Sequence, residues 1–293
     1  MKFVRIINDF PDGYTLNIPS IGEAETSDFT EGQAIKYNAM DTGNFQFSFD
    51  QYKYSANAIS EKFKRDSYYS SDVIAAFVPR QHRSLMEAVE TRILAQANAG
   101  QTASDVNKIN NADHRWVATG TATGGGSGPA IALADFARAQ YALTKANVPL
   151  VNLVAIVDPS VAYTLQTQTN LVNLITPSPM WQDMVKDGAV TGFKFRFNIY
   201  GFDIYCSNYL PAIASETIAS VAVTTGVANY FFSAQSGDTC PWVGAFRQMP
   251  TVHSEFNKDL QQEEYLTITE YGFKLYRPEN MVTILTATGA VPS

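Results

Sequence analysis

The residues of this sequence that could do chemistry are three histidines, two cysteines, one glycine-rich stretch and one pair of adjacent carboxylates. Their spacing decides what they can do. A zinc-type site takes three or four ligands, and these usually arrive in pairs a few residues apart. His82, His114 and His253 share no short motif, so each is expected to be a structural histidine, and no metal or other cofactor is expected. Cys206 and Cys240 lie far apart and outside any CxxC pair. The expectation is two free, mostly buried thiols in a reducing compartment. A phosphate-binding loop needs GxxxxGK[ST]. In Gly120–Gly128 no lysine is present and Pro129 follows, so the stretch reads as a linker. Glu263 and Glu264 adjoin; on a strand they point to opposite faces. They read as a solvated edge rather than an acid–base pair, and no GxSxG elbow is present. No catalytic residue is expected.

The elements that hold these residues must account for an unusual composition. The chain has 293 residues, enough for one large domain or two ordinary ones. Charged residues are 17%, below the usual quarter, so less surface than normal is meant for water. With 18 Phe and 15 Tyr the sequence suits either surfaces that become buried on association, Tyr carrying an apolar ring and a polar tip, or a large all-β domain with an aromatic core. Net charge is −7 and there is no Lys/Arg-rich run, which excludes sequence-specific nucleic-acid recognition but allows sparse contact with enclosed nucleic acid. No apolar run approaches the ~20 residues of a membrane span, and MKFVRIINDF is too short and polar for a signal peptide.

The alternation of Tyr14, Leu16 and Ile18, and then of Phe45, Phe47 and Phe49, predicts a long two-stranded excursion over Tyr14–Ile59 with an acidic tip at Gly22–Gly32. At Asp50–Gln51 the phase slips to Tyr52, Tyr54 and Ala56, which predicts a bulge or twist. An isolated ribbon is marginal in water. Its apolar cover is therefore expected on another copy of the chain, and the candidate contact residues are Tyr14, Leu16, Phe45, Phe47, Phe49, Tyr52 and Tyr54. A long spine helix is predicted over about Ser71–Asn98, with Phe77, Leu85, Val89 and Ile93 on one face and Pro79 as a kink or start. Gln101–Gly128 reads as a flexible connection, and Pro129 as the first residue of a new helix. Leu150–Val157 is a central strand, and Asp158-Pro159 opens a helix carrying Val161, Leu165 and Leu171. Phe193–Asn208 is a strand broken at Gly201, with Phe193, Phe195 and Phe197 on one face. Strands at Tyr230–Ser233, Tyr265–Ile268, Tyr271–Tyr276 and Met281–Ala287 complete an α+β fold.

The order of these segments resembles the major capsid proteins of tailed double-stranded DNA bacteriophages, whose fold is shared with encapsulins and herpesvirus capsid floor domains. GYTLNIPSIG and FQFSFDQYKYSANAI resemble that family's extended loop, and SDVIAAFVPRQHRSLMEAVETRILAQ its spine helix. VNLVAIVDPSVAYTL, FNIYGFDIYCSNYLP and YGFKLYRPENMVTI resemble its strand–helix step, its strand–Gly–strand unit and its closing strands. The resemblance implies an N-terminal arm (1–12), an extended β-hairpin loop (13–60) and a peripheral domain with the spine helix (61–128). An axial α/β domain (129–240) and a C-terminal β-region returning to the peripheral domain (241–293) follow.

It implies further a virion protein, assembled in the host cytoplasm into hexamers and pentamers of an icosahedral head around double-stranded DNA. A scaffolding protein, a portal and a decoration protein are the expected partners, and no membrane is. An encapsulin-like compartment around an enzyme is the alternative within the same fold. A soluble hydrolase or sugar-binding β-protein is the alternative outside it. The segment ahead of the ribbon is shorter than the arm or cleaved scaffolding segment that family members often carry.

Overall fold

The computed structural model describes residues 3–7, 13, 15–21, 28, 31–32, 42–67, 70–122, 126–167, 198–235 and 239–290. Strand β1 (Val4–Ile6) comes first. β2 (Thr15–Ile21) and β3 (Thr42–Ser48) form an antiparallel ribbon with Thr15 opposite Ser48 and Ile21 opposite Thr42. β4 (Gln51–Ser60) starts after two connecting residues and pairs elsewhere. The phase slip at Asp50–Gln51 is therefore a change of sheet, not a bulge within one ribbon. Tyr14 and most of the acidic tip lie outside the described residues.

The Ser60 hydroxyl accepts the Phe63 N–H and caps α1 (Glu61–Asp66). α2 (Ser70–Ala99) is the long helix, about 45 Å at ~1.5 Å per residue. Leu85, Val89, Ile93, Leu94 and Ala97 are its buried stripe. Pro79 sits inside the helix rather than at its start. Gly100 ends it, and a Cβ there would lie 2.6 Å from the Leu275 side chain.

The segment expected as a flexible connection is built into the fold. It contains β5 (Lys108–Ile109), β6 (Ala112–Asp113), β7 (Arg115–Val117) and β8 (Gly120–Thr121). His114, Arg115 and Trp116 in it are buried. β8 pairs with β9 (Pro129–Ala130), so Pro129 is on a strand, and α3 (Leu133–Lys145) begins four residues later. A buried carboxylate replaces the proline as the organiser of this corner. Asp135 accepts from the Ala132 and Thr119 N–H groups and from the Trp116 indole.

β10 (Leu153–Val157) leads into α4 (Pro159–Thr167), where the Asp158 carboxylate accepts the Ser160 N–H as expected. Leu171, Phe193, Phe195 and Phe197 lie outside the described residues. β11 (Asn198–Ile199) turns at Tyr200–Gly201 into β12 (Phe202–Cys206). After β13 (Ala212–Ile213), β14 (Glu216–Ile218) and β15 (Val221–Val223) come the long strands. These are β16 (Gly226–Ser233), β17 (Trp242–Asn257), β18 (Gln262–Leu275) and β19 (Met281–Ala287).

Two main sheets result. One runs β11-β12-β10-β16-β19-β7, with β13 on β16; the other runs β1-β17-β18-β4. β16 shows why the first is apolar on both faces. Phe231 points into a core with Phe136, Leu143, Leu165 and Phe202, and its neighbours Tyr230 and Phe232 point into a second core with Val89, Ile93 and Leu94 of α2. Trp242, Tyr271 and Phe273 from the second sheet join that second core. The long helix thus packs on both sheets.

The length of β17 is not apparent from its sequence because Pro250 interrupts it. Its pairing with β18 shifts register between Gln248 and Thr251, and β1 covers its other side only at Trp242–Gly244. The proline occupies an irregular stretch of sheet edge, where no ladder hydrogen bond is lost. Glu263 and Glu264 consequently sit on a central strand, not a solvated edge.

Candidate functional site

Of the seven residues of the expected contact, the six among the described residues do not form one surface. Phe47 and Phe49 are 0% and 2% exposed, packed with Val243 and Ala245. The expectation that they wait for another copy is corrected here: their cover is their own chain. The physical reason lies across the interface, at Gly272. A Cβ there would lie 2.5 Å from the Ser48 carbonyl oxygen and 3.2 Å from the Phe47 ring, so the glycine lets the ribbon root cross β18 in backbone contact.

The same root is pinned at three more points. The Lys274 ammonium donates to the Gln46 carbonyl (3.0 Å) and lies 4.9 Å from the Phe45 ring centre. Phe45 meets Tyr276 edge-on, and Arg92 of α2 pairs with Asp50. Leu16, opposite Phe47, is half-buried beside them, as is Phe45.

Tyr52 and Tyr54 are placed differently. They are 60% and 68% exposed on β4, the edge strand of the second sheet. Residues directly opposite on an antiparallel pair share a face. Tyr52 stands opposite Glu270, Tyr54 opposite Ile268, Ala56 opposite Leu266 and Ala58 opposite Glu264. On the next strand Thr251 faces Ile268, His253 faces Leu266 and Glu255 faces Glu264. The outer face therefore has an apolar centre of Tyr54, Ala56, Leu266 and Ile268, with Glu264, Glu255, Glu270 and His253 around it.

The reverse face is closed. Thr267 and Thr269 are fully buried there, and Thr267 donates to Gln81 of α2. Lys64 of α1 pairs with Glu263, which also accepts the Tyr265 hydroxyl at 2.7 Å and is held below the usual carboxylate range by the ammonium. Glu264 is lowered too, by hydrogen bonds from Gln262 (2.8 Å) and Asn257 (3.0 Å), so the rim of the outer face is anionic. The sheet thus shows one face to a helix; the ribbon root covers the Gly272 end of the other, and the rest of that face, together with the β4 edge, has no partner among the described residues. Reasoning from sequence alone missed Leu266 and Ile268. Their signal was the alternation in Tyr265–Ile268, which identifies a strand but not which of its faces stays open.

The residues with chemical potential are dispersed. His114 is buried, with Nδ1 3.1 Å from the Ala112 carbonyl oxygen, whereas His82 and His253 are exposed. Cys206 is exposed and Cys240 buried, both as free thiols; burial raises the Cys240 thiol pKa. Among the described residues no group of three or more His, Cys, Asp or Glu is placed to hold a metal ion. No helix among them is long and apolar enough to cross a membrane.

Comparison with known proteins gives this geometry its context. Residues 48–284 match the family described as phage capsid protein. No curated protein matches the sequence. The fold is similar to that in the capsid of cyanophage P-SCSP1u, with a TM-score of 0.67 at 16% identity over 98% of this chain and 86% of that one. It is similar to the mature capsid of bacteriophage PhiM1, with a TM-score of 0.65 at 14% identity over 98% and 86%. The cyanophage Pam1 capsid gives 0.64 at 13% identity over 94% and 86%.

Proposed function

The chain belongs to the phage capsid protein family, and we propose from this that its subunits join into the hexamers and pentamers of an icosahedral head around double-stranded DNA. It is a structural protein of the virion, a major capsid protein. In our reading the joint is the outer face and free edge of the second sheet. The observation that carries it is the pair Tyr52 and Tyr54, more than half exposed on an edge strand whose neighbours Leu266 and Ile268 continue the apolar centre. Exposed edge strands are templates for another chain, and strand addition gives main-chain hydrogen bonds in register while side chains set the fit. The occupant in our proposal is the ribbon of the adjacent subunit.

Contact with DNA follows from charge. A chain of net charge −7 without a basic run would hold enclosed DNA by sparse, sequence-independent contacts. A scaffolding protein, a portal and a decoration protein complete the proposed set of partners, with assembly in the host cytoplasm. The fold is that of a container, and the family match favours a phage head over an enzyme-enclosing compartment.

The test replaces Tyr52 and Tyr54 by Ser together. Both side chains face solvent in the lone subunit, so the melting temperature of the subunit should stay within about 2 °C of wild type. Shells should disappear from negative-stain images. Intact shells built from the double variant would rule out this face as the joint.

A further inference from the structure

The edge of the second sheet opposite β4 is β17, and only its first residues are covered. β1 pairs with it at Trp242–Gly244, and beyond them no strand among the described residues lies on its outer side. Past the irregularity at Gln248–Thr251 the strand runs in regular register along β18 from Thr251 to Asn257. Every residue from Thr251 to Phe256 is exposed. Two of them are large and apolar, Val252 at 44% and Phe256 at 49%. A regular, exposed edge that carries apolar side chains is a template for another strand.

Its two faces differ. Val252 stands opposite Thr267, which donates to Gln81 of α2, so Val252, Ser254 and Phe256 point to the side of that helix. Thr251, His253 and Glu255 point to the outer face. There Glu255 stands opposite Glu264, a like charge at close range. The His253 Nε2 lies 3.3 Å from the Thr251 hydroxyl, which leaves Nδ1 to meet a carboxylate.

We propose that this edge pairs with the same strand of a second copy, antiparallel, across a two-fold axis at Ser254. Residues directly opposite in an antiparallel pair share a face. Odd positions therefore meet odd and even meet even, which puts the axis at a residue. At Ser254 the chemistry agrees on both faces. Val252 meets Phe256 of the second copy, and His253 meets Glu255 of the second copy, each twice by symmetry. An axis at His253 would set that imidazole against itself and Val252 against Ser254. An axis at Glu255 would set carboxylate against carboxylate. Only the register at Ser254 is self-complementary in apolar content and in charge pattern, as a two-fold contact requires. The stretch is short, so the contact is weak alone and counts where many act together. A two-fold contact links two subunits and builds no ring. In the proposed head it would tie one ring to the next, at the edge away from Tyr52 and Tyr54.

Disulfide trapping tests the register. The full-length subunit carries Cys206→Ser, which removes the exposed thiol. With Ser254→Cys the two introduced thiols face each other across the axis, within the ~4.4–6.8 Å between Cα atoms that a disulfide spans. Oxidised glutathione should then give covalent dimers. Val252→Cys is the control, because its two copies stand about 14 Å apart in the same register. Adding His253→Glu sets like charges opposite each other and should slow the Ser254→Cys reaction about 5-fold. Adding Glu255→His to that variant opposes unlike groups again and should recover the rate. The proposal is overturned if Ser254→Cys crosslinks no faster than Val252→Cys, if His253→Glu leaves the rate unchanged, or if the exchanged pair does not recover it. The reaction is repeated with Tyr52→Ser and Tyr54→Ser, which removes the joint proposed at β4. Dimers should form there at the same rate; their loss would mean that trapping follows shell assembly and that this edge does not pair by itself.

Discussion

At the residue scale the most consequential group is one to which the sequence assigns no role. Arg115 is 1% exposed and makes a two-pronged contact with Glu216, Nη2 to Oε2 at 2.9 Å and Nε to Oε1 at 3.1 Å. Its remaining donors reach Asn98 (2.9 Å) in the last turn of α2 and Gln101 (3.2 Å) just past its end, and the Ser104 N–H donates to Glu216. Burial alone would raise the Glu216 carboxyl, but the guanidinium and the Ser104 amide outweigh it and hold it below its ordinary 4.5. Breaking such a pair from one side leaves a buried charge unpaired, at a cost of about 3–5 kcal/mol. Glu216→Ala should therefore lower the urea midpoint sharply. Arg115→Met with Glu216→Leu should recover most of it.

The pH dependence has a definite sign. Glu216, depressed when folded, contributes stability that is present above 4.5 and lost as pH falls below it. Burial also lowers His114 below its ordinary 6.5, so below that pH the unfolded chain takes a proton the folded one resists. Stability should begin to fall under pH 6.5 and steepen under 4.5. His114→Gln should flatten only the first part of that profile in urea titrations. Phe47 behaves differently again. Fully buried in its own subunit, it should cost about 3–5 kcal/mol as Phe47→Ala. A charge at that position would damage the subunit before any effect on assembly could be read, whereas Tyr54 separates the two.

At the element scale, what the sequence revealed depended on whether one element's pattern sufficed. The stripe Leu85, Val89, Ile93 identified α2, and the cap residues Ser70–Asp72 with the Gly100 stop bounded it to within a residue at each end, because a helix writes its period and its ends into its own sequence. The Asp158-Pro159 start of α4 was legible for the same reason. The apolar run before it placed β10, with Leu150 and Val151 exposed outside the strand. β7 was not legible. Its three residues read as polar connection, and only the Glu216 carboxylate, about a hundred positions away, makes a buried arginine tolerable there. The ribbon was half legible: the alternation gave strands, but the change of sheet at Asp50 depends on Gly272, remote in sequence. That dependence can be tested. Gly272→Ala would push a methyl against backbone at 2.5 Å, which flexible side chains cannot relieve. It should cost about 1–3 kcal/mol and raise hydrogen exchange at Gln46–Phe49 more than in α3.

At the scale of the whole molecule, the division between covered and uncovered aromatics would let the proposed joint form without unfolding the subunit. Phe47 and Phe49 fix the ribbon root to the sheet, and Asp50 ties it to α2 through Arg92. The direction of the ribbon is therefore set before any partner arrives. In the proposed assembly the exposed Tyr52 and Tyr54 meet the partner, and each such contact is weak until a ring closes and links several at once. A defective subunit should then do more harm than its share. With one Tyr52→Ser/Tyr54→Ser subunit mixed into every ten, random incorporation would leave roughly half of six-membered rings free of it. Shell yield, read by sedimentation of mixtures of wild-type and variant protein, should fall much faster than the variant fraction rises. A yield that declines in simple proportion to that fraction would mean each joint forms independently, and closure through this face would have to be abandoned.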